Sequence, residues 1–399
     1  MKKVIILGGS RYQVPIIKKA REMGLYIVIC DILEDCPGKE YAHEFFAIST
    51  AEKESILNLA ESLNVDGIIA YASDLNALTA AYVSEKLNLP SNPYRSVEIL
   101  SNKEKFRKFL KENNFNTPRA KAYDKFEDAL KDIQQFKLPV MIKPVDSSGS
   151  KGVSKIDSIE LLQEKVEIAL NSSRVKRFII EEFIESKYYH VGGEGFSVNG
   201  KLVYRCFVNE HFPQNAYLNQ FVPIGSTYPC ILPNRIQGKI HNEIQKVLDL
   251  LNMKTGAYNF DIRLDDNENI YLIEIAARNG GGELQNIVKY ATEFMLNENI
   301  INAALGNECN TSSYNLNENW ACYYLYCNKT GIFKTIEINN EFKENNIVEY
   351  NIFVKAGDKI SALTGAHNII GTMVLRFSST EEMLNKIENI DDYVQVIIN

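Results

Sequence analysis

The chain lacks paired cysteine motifs. Its seven cysteines (Cys30, Cys36, Cys206, Cys230, Cys309, Cys322 and Cys327) are odd in number and show no CxxC spacing. That argues against a disulfide framework or a structural zinc site and favours a reducing cytoplasm. The five histidines (His43, His190, His211, His241 and His367) have no metal-ligand spacing, so each reads as a surface or structural residue. No apolar run approaches the length of a membrane span. The run Val4–Leu7 is too short for a signal peptide, so a cytoplasmic protein with no membrane partner is expected. A formal net charge of −7 leaves no basic excess to grip nucleic acid broadly. GxSxG and GxxxxGK[ST] motifs are both missing, which weakens serine-hydrolase and P-loop readings.

At 399 residues, with 45% hydrophobic and 24% charged residues, the composition is that of a globular chain of two or three domains. Short apolar runs at Val4–Leu7, Tyr26–Cys30 and Gly67–Tyr71 alternate with helical patterns from Val14 and over 52–64 and 76–88. That rhythm predicts a parallel sheet flanked by helices over residues 1–113. A second unit is expected over 114–310, with a smaller lobe at about 119–185 and antiparallel strands around 195–208, 257–264 and 270–276. The polar stretch Asn307–Asn319 reads as a linker, and 315–399 as a third, mostly β unit. Ser101 and Glu104 read as a capping box, and Asp124 with Glu127 as the cap of the next helix. The fold class predicted is thus α/β with an α+β portion.

Four segments carry possible chemistry. Gly8-Gly9-Ser10 follows a strand but lacks GxGxxG, so a plain tight turn competes with a phosphate loop, and Asp31 reads as a turn or substrate-facing residue. Lys143 ends an apolar strand, where a phosphate could pair with it. The small-residue run Ser147, Ser148, Gly149, Ser150, Lys151 and Gly152 behind it offers backbone donors; the competing reading is a surface lysine before a flexible hairpin. Glu181, Glu182, Phe183 and Ile184 end another apolar strand, either as a strand reaching the surface or as a connector that pairs with an adenine edge. Asp261 and Glu274 interrupt apolar runs in two strands joined by the turn Asp265–Asn269, so the two carboxylates can meet on one face. Close carboxylates repel unless a cation joins them, and oxygen ligands suit Mg2+, with Mn2+ as an alternative. Arg278 follows on the loop Gly280-Gly281-Gly282, where fixed positive charge and backbone donors suit a developing oxyanion. A structural salt-bridge cluster is the alternative.

Taken in this order, the segments resemble the ATP-grasp superfamily over nearly the whole chain, and within it the carbamoyl-phosphate-synthase-like and L-amino-acid-ligase-like branch. The resemblance implies an N-terminal Rossmann-like domain, an ATP-grasp domain and a C-terminal ligase-type domain. It implies that Lys103 and Lys143 reach the ATP phosphates, that Ser147–Gly152 covers them, and that the backbone of Glu181–Ile184 holds adenine. It implies Asp261 and Glu274 as metal acids and Arg278 at the reacting carboxylate. The chain departs from the family in three places. Ala276 stands where many relatives have Asn, and Tyr188 where many have a ribose-binding acid. Gly192-Gly193 looks like an insertion before Glu194.

The activity so implied is ADP-forming ligation of a small carboxylate, favoured as an amino acid, to an amine through an acyl phosphate, in a monomer or homodimer. Arg11, Tyr12, Asp74, Tyr217, Gln220, Phe221, Gly280 and Gly281 are the residues expected around the substrates. The rival readings are a purine-pathway or carboxyphosphate-forming relative, a non-catalytic nucleotide-binding protein, and a dehydrogenase.

Overall fold

The computed structural model describes residues 1–399 except Ala216, Tyr314, Asn315 and Asn317. The expected boundary at 315 therefore lies outside the described residues. The molecule is a mixed helix-and-strand protein, as the sequence predicts.

Four parallel strands form the first sheet: Lys3–Leu7, Tyr26–Cys30, Glu44–Phe46 and Gly67–Ala70. The first strand lies between the second and the fourth. Val4, Ile5, Ile6 and Leu7 are all buried, as expected of a parallel strand covered on both faces. The helix Asp74–Lys86 starts from Ser73, whose hydroxyl accepts from the Asn76 N–H, and this sets Asp74 at its first turn.

Two capping expectations are corrected. Ser101 ends the helix Tyr94–Ser101, and it is Asn102 that caps the helix Lys103–Glu112 by accepting from the Lys105 N–H at 3.0 Å. Lys103 is thereby the first helical residue. Glu104 and Asp124 do not cap; both pair with Arg177, at 2.7 and 2.5 Å.

The smaller antiparallel sheet runs Ala120–Tyr123, Phe178–Glu182, Val140–Pro144, Ser154–Ile156. Helices Phe126–Asp132 and Leu162–Ser172 close one core with it. The larger sheet has eight antiparallel strands: Ile270–Ala276, Gly256–Leu264, His190–Val198, Lys201–His211, Gly225–Tyr228, Asn319–Leu325, Gly371–Phe377 and Ile347–Ile352. Residues 195–208 belong to a hairpin that turns at Asn199-Gly200, where both residues have positive φ. Gly192 and Gly193 lie inside the strand His190–Val198. They pair in unbroken register with Asp261 and Phe260, and a Cβ on Gly192 would meet the Glu210 carboxylate at 2.5 Å. No helix among the described residues is long and apolar enough to cross a membrane.

Candidate active site

Asp261 and Glu274 face each other across adjacent strands, with a register shift just after Asp261. Glu274 pairs with Lys103 at 3.2 Å, and the same Nζ donates to the Ser147 carbonyl at 2.8 Å. Asp261 bonds the ring of His190, which stands 3.8 Å from Glu210. Burial opposes ionisation of Asp261, but His190 and Lys143 outweigh it and hold the carboxyl below the usual carboxylate range. Burial likewise opposes charging of His190, and Asp261 outweighs it, raising the imidazole. Among the described residues no three His, Cys, Asp or Glu side chains converge as a cage for a metal. A cation between the two carboxylates would take its remaining ligands from water or phosphate oxygens.

Lys143 is 7% exposed and donates to Glu181 at 2.7 Å. Glu181, at 1% exposure, also pairs with the Nε of Arg107 at 2.8 Å. Arg107 in turn donates to the Ile273 carbonyl at 3.0 Å, next to Glu274. Burial would raise Glu181, but Arg107 and Lys143 prevail and hold it at about 2. This explains how a lysine survives in an apolar strand: it enters the lobe already compensated. Beyond Glu181, Glu182 accepts from the Lys137 N–H at 2.9 Å, the Phe183 N–H is bonded to the Pro139 carbonyl, and Ile184 lies past the strand end.

The loop after Lys143 is drawn into a turn by Ser147 Oγ, which donates to the Lys151 carbonyl at 2.8 Å. Gly149, Ser150 and Gly152 take positive φ. Ser148 and Gly149 form its exposed tip. Ser150 Oγ donates to the Phe221 carbonyl at 2.5 Å, and the Asn219 amide donates to Ser150 and Thr364 carbonyls at 3.2 and 3.0 Å. The loop is thus tied to the rim of the larger sheet.

Arg278 makes a two-point pair with Asp74, at 2.8 and 3.1 Å. Burial works against Asp74 ionising, yet Arg278 keeps it below the ordinary range. The glycine loop beside it is held on both sides. Asn279 Oδ1 accepts from the Ala72 N–H at 3.2 Å, and the Gly280 N–H donates to Glu194 at 2.6 Å. Gly282 has φ +67°, and a Cβ there would sit 2.5 Å from the Tyr324 hydroxyl.

Residues 136–286 match the family model described as an ATP-grasp domain. The chain carries an ATP-grasp domain.

Over 191 residues it is 27% identical to the formate-dependent phosphoribosylglycinamide formyltransferase of Prochlorococcus marinus, a match covering 47% of this chain and 49% of that protein. The chain thus spans about half the length of the curated relatives it matches. In fold, it is similar to the L-amino acid ligase of Bacillus licheniformis, with a TM-score of 0.84 at 21% identity over 100% of this chain and 99% of that one. It is also similar to the phosphoribosylglycinamide synthetase of Anaerococcus prevotii, with a TM-score of 0.76 at 22% identity over 100% of both chains. At these identities the structural likeness is one of fold.

The ATP-grasp match contains Lys143, the Ser147–Gly152 loop, Glu181, Asp261, Glu274 and Arg278; Lys103 and Asp74 lie N-terminal to it. The structure brings Lys103, Lys143, Glu181, Asp261 and Glu274 into one charge network, and Arg278, Asp74, Gly280 and Gly281 to its edge. It leaves Tyr217 out: at 96% exposure that ring lines no enclosed pocket. Arg11 stacks over Phe353 at 4.3 Å and Tyr12 at 5.5 Å. At Gly8-Gly9 the Gly9 N–H donates to Asp31 at 2.8 Å. Sequence reasoning missed Arg107, His190, Glu194 and Glu210. Only Arg107 carries a local signal, one helical turn after Lys103.

Proposed function

We propose that this protein is an ATP-dependent carboxylate–amine ligase. It transfers the γ-phosphoryl group of ATP to a small carboxylate, and an amine then attacks the acyl phosphate, releasing phosphate. The observation that carries the reading is the pairing of opposite charges at one point. Lys103 and Lys143, each set against a carboxylate, lie beside the facing acids Asp261 and Glu274.

In this reading Lys103 and Lys143 hold ATP phosphates by charge, exchanging Glu274 and Glu181 for phosphate oxygens. Ser147, Ser148, Gly149, Ser150 and Gly152 cover the phosphates and exclude water. The backbone at Glu181–Ile184 borders the adenine. Because the Phe183 N–H is already bonded, adenine contact falls to the segment's remaining groups. A Mg2+ ion, or Mn2+, held by Asp261 and Glu274 would neutralise charge on the phosphates; two facing carboxylates are the hard oxygen donors such ions take. Arg278 steadies the reacting carboxylate, and the Gly280 and Gly281 segment borders it. Arg11 and Asp74 lie on the acceptor side.

The reading divides the chain into a nucleotide-fold unit at 1–113, the ATP-grasp unit at 114–310 and a ligase-type unit at 315–399. It takes the protein to be cytoplasmic, and monomeric or homodimeric. An amino acid is the favoured carboxylate, on the fold likeness to an L-amino acid ligase. The sequence match to formate-dependent enzymes favours a second reading in which the carboxylate is formate.

The test is a screen of the twenty amino acids, formate and other small carboxylates, each with Mg-ATP and a panel of amines. Carboxylate-dependent release of ADP and phosphate supports the proposal. Formate alone as the active acid selects the second reading. Mg-ATP binding without turnover on any member makes the protein a nucleotide-binding one.

A further inference from the structure

The glycine loop that carries Arg278 rests on a residue that has no part in the chemistry above. Glu194 lies in the strand His190–Val198, opposite Asn259 on one side and Cys206 on the other, with no solvent exposure. Its Oε1 accepts from the Gly280 N–H at 2.6 Å and from the Asn259 amide at 3.2 Å. Its Oε2 is buried and has no partner among the described residues. Gly280 is required for this approach, since a Cβ would stand 2.3 Å from Oε1 and 2.8 Å from the Asn259 amide.

We infer that Glu194 is a positioning residue that fixes the Gly280 end of the loop, so that loop and Arg278 are held from two sides, by Glu194 and by Asp74. The inference rests on the ligase reading for its purpose, though not for its geometry. The carboxyl is sealed beneath the loop and touches no reacting group, so it acts through Gly280. Its second oxygen fits a protonated side chain, because an ionised carboxylate with a bare, buried oxygen is disfavoured. Burial pushes the carboxyl up to about 8, against the Gly280 N–H, the charge of Arg278 and the Asn259 amide. The other titratable groups in its field are Tyr71, from the first unit, and Cys206, on the neighbouring strand; burial raises both well above neutrality, so neither is charged at pH 7. Above pH 8, therefore, Glu194 gains a buried negative charge that only Arg278 offsets.

Three proteins test this: wild type, Glu194→Ala and Glu194→Gln, followed by amide hydrogen exchange of the peptide spanning residues 277–284 and by titration with Mg-ATP. Loss of one backbone acceptor predicts roughly tenfold faster exchange at Gly280 in Glu194→Ala. Glutamine keeps an acceptor for the Gly280 N–H and cannot ionise. It should restore protection at pH 7 and abolish the loss of protection that wild type shows as pH rises from 4.5 to about 8 and that levels off above it, after correction for intrinsic base catalysis. Wild-type protection in Glu194→Ala, or a pH profile in Glu194→Gln identical to wild type, overturns the inference. If Glu194→Ala does not fold, the glutamine pH series decides alone. A wild type that fails to bind Mg-ATP sinks the ligase reading and leaves the exchange result to judge Glu194.

Discussion

Replacing Glu181 with Gln isolates the ion pair that lets Lys143 exist inside the smaller lobe. Glu181 is buried between Lys143 at 2.7 Å and Arg107 at 2.8 Å. Its carboxyl is held at about 2 against an ordinary value of 4.5, with burial opposing and the two cations prevailing. That difference is worth about 3 kcal/mol of stability at neutral pH. The neutral amide would leave two buried cations without their counter-charge, a loss in the same range of about 3–5 kcal/mol. The pH dependence follows from the direction of the shift. A depressed carboxyl contributes fully above pH 4.5 and loses its contribution as pH falls through about 2. Urea unfolding of wild type and Glu181→Gln at pH 7 should differ by about 3 kcal/mol, and the gap should narrow steadily between pH 4.5 and pH 2. A gap below about 1 kcal/mol at pH 7, the level of an exposed pair, or one that does not change with pH, would refute the reasoning.

Other expectations concern turnover. Glu274→Gln and Asp261→Asn should each abolish ADP release while leaving the circular dichroism spectrum unchanged, since each removes one of the two facing carboxylates. Near-normal turnover in either would remove the metal assignment. Arg278→Ala should slow turnover by roughly 10²–10³ while changing Mg-ATP affinity little, because the arginine lies at the glycine loop and not at the nucleotide lobe. Steady-state kinetics with a nucleotide titration separates the two effects.

Much of this architecture is legible in the residues because it depends on local rules. Val4–Leu7 and Tyr26–Cys30 read as buried strands, since only a strand covered on both faces needs unbroken apolar runs. Asp261 and Glu274 stand out because each breaks such a run, and the short turn between their strands places them opposite one another. The misses arise where the decisive partner is remote in sequence. Asn102 takes the cap because the preceding helix runs through Ser101, which no local pattern announces. His190 has no motif spacing, yet the pairing of its strand with Gly256–Leu264 brings it to Asp261. Glu194 looks like a polar residue in a glycine-rich strand until the loop folds over it, 86 residues later in the chain. No local pattern explains Gly192 and Gly193 either, because what leaves no room for a side chain there, the Glu210 carboxylate and the backbone at Cys206, lies on the neighbouring strand.

The central claim, that a carboxylate is activated by phosphorylation, is tested most directly by trapping. Wild-type protein is incubated with Mg-ATP, hydroxylamine and the carboxylate panel, and the hydroxamate, nucleotide and phosphate products are quantified together. Hydroxamate formed in equal amount with ADP and phosphate, and lost in Glu274→Gln, is the predicted result. Hydroxamate accompanied by AMP and pyrophosphate would mean adenylation and would contradict the account.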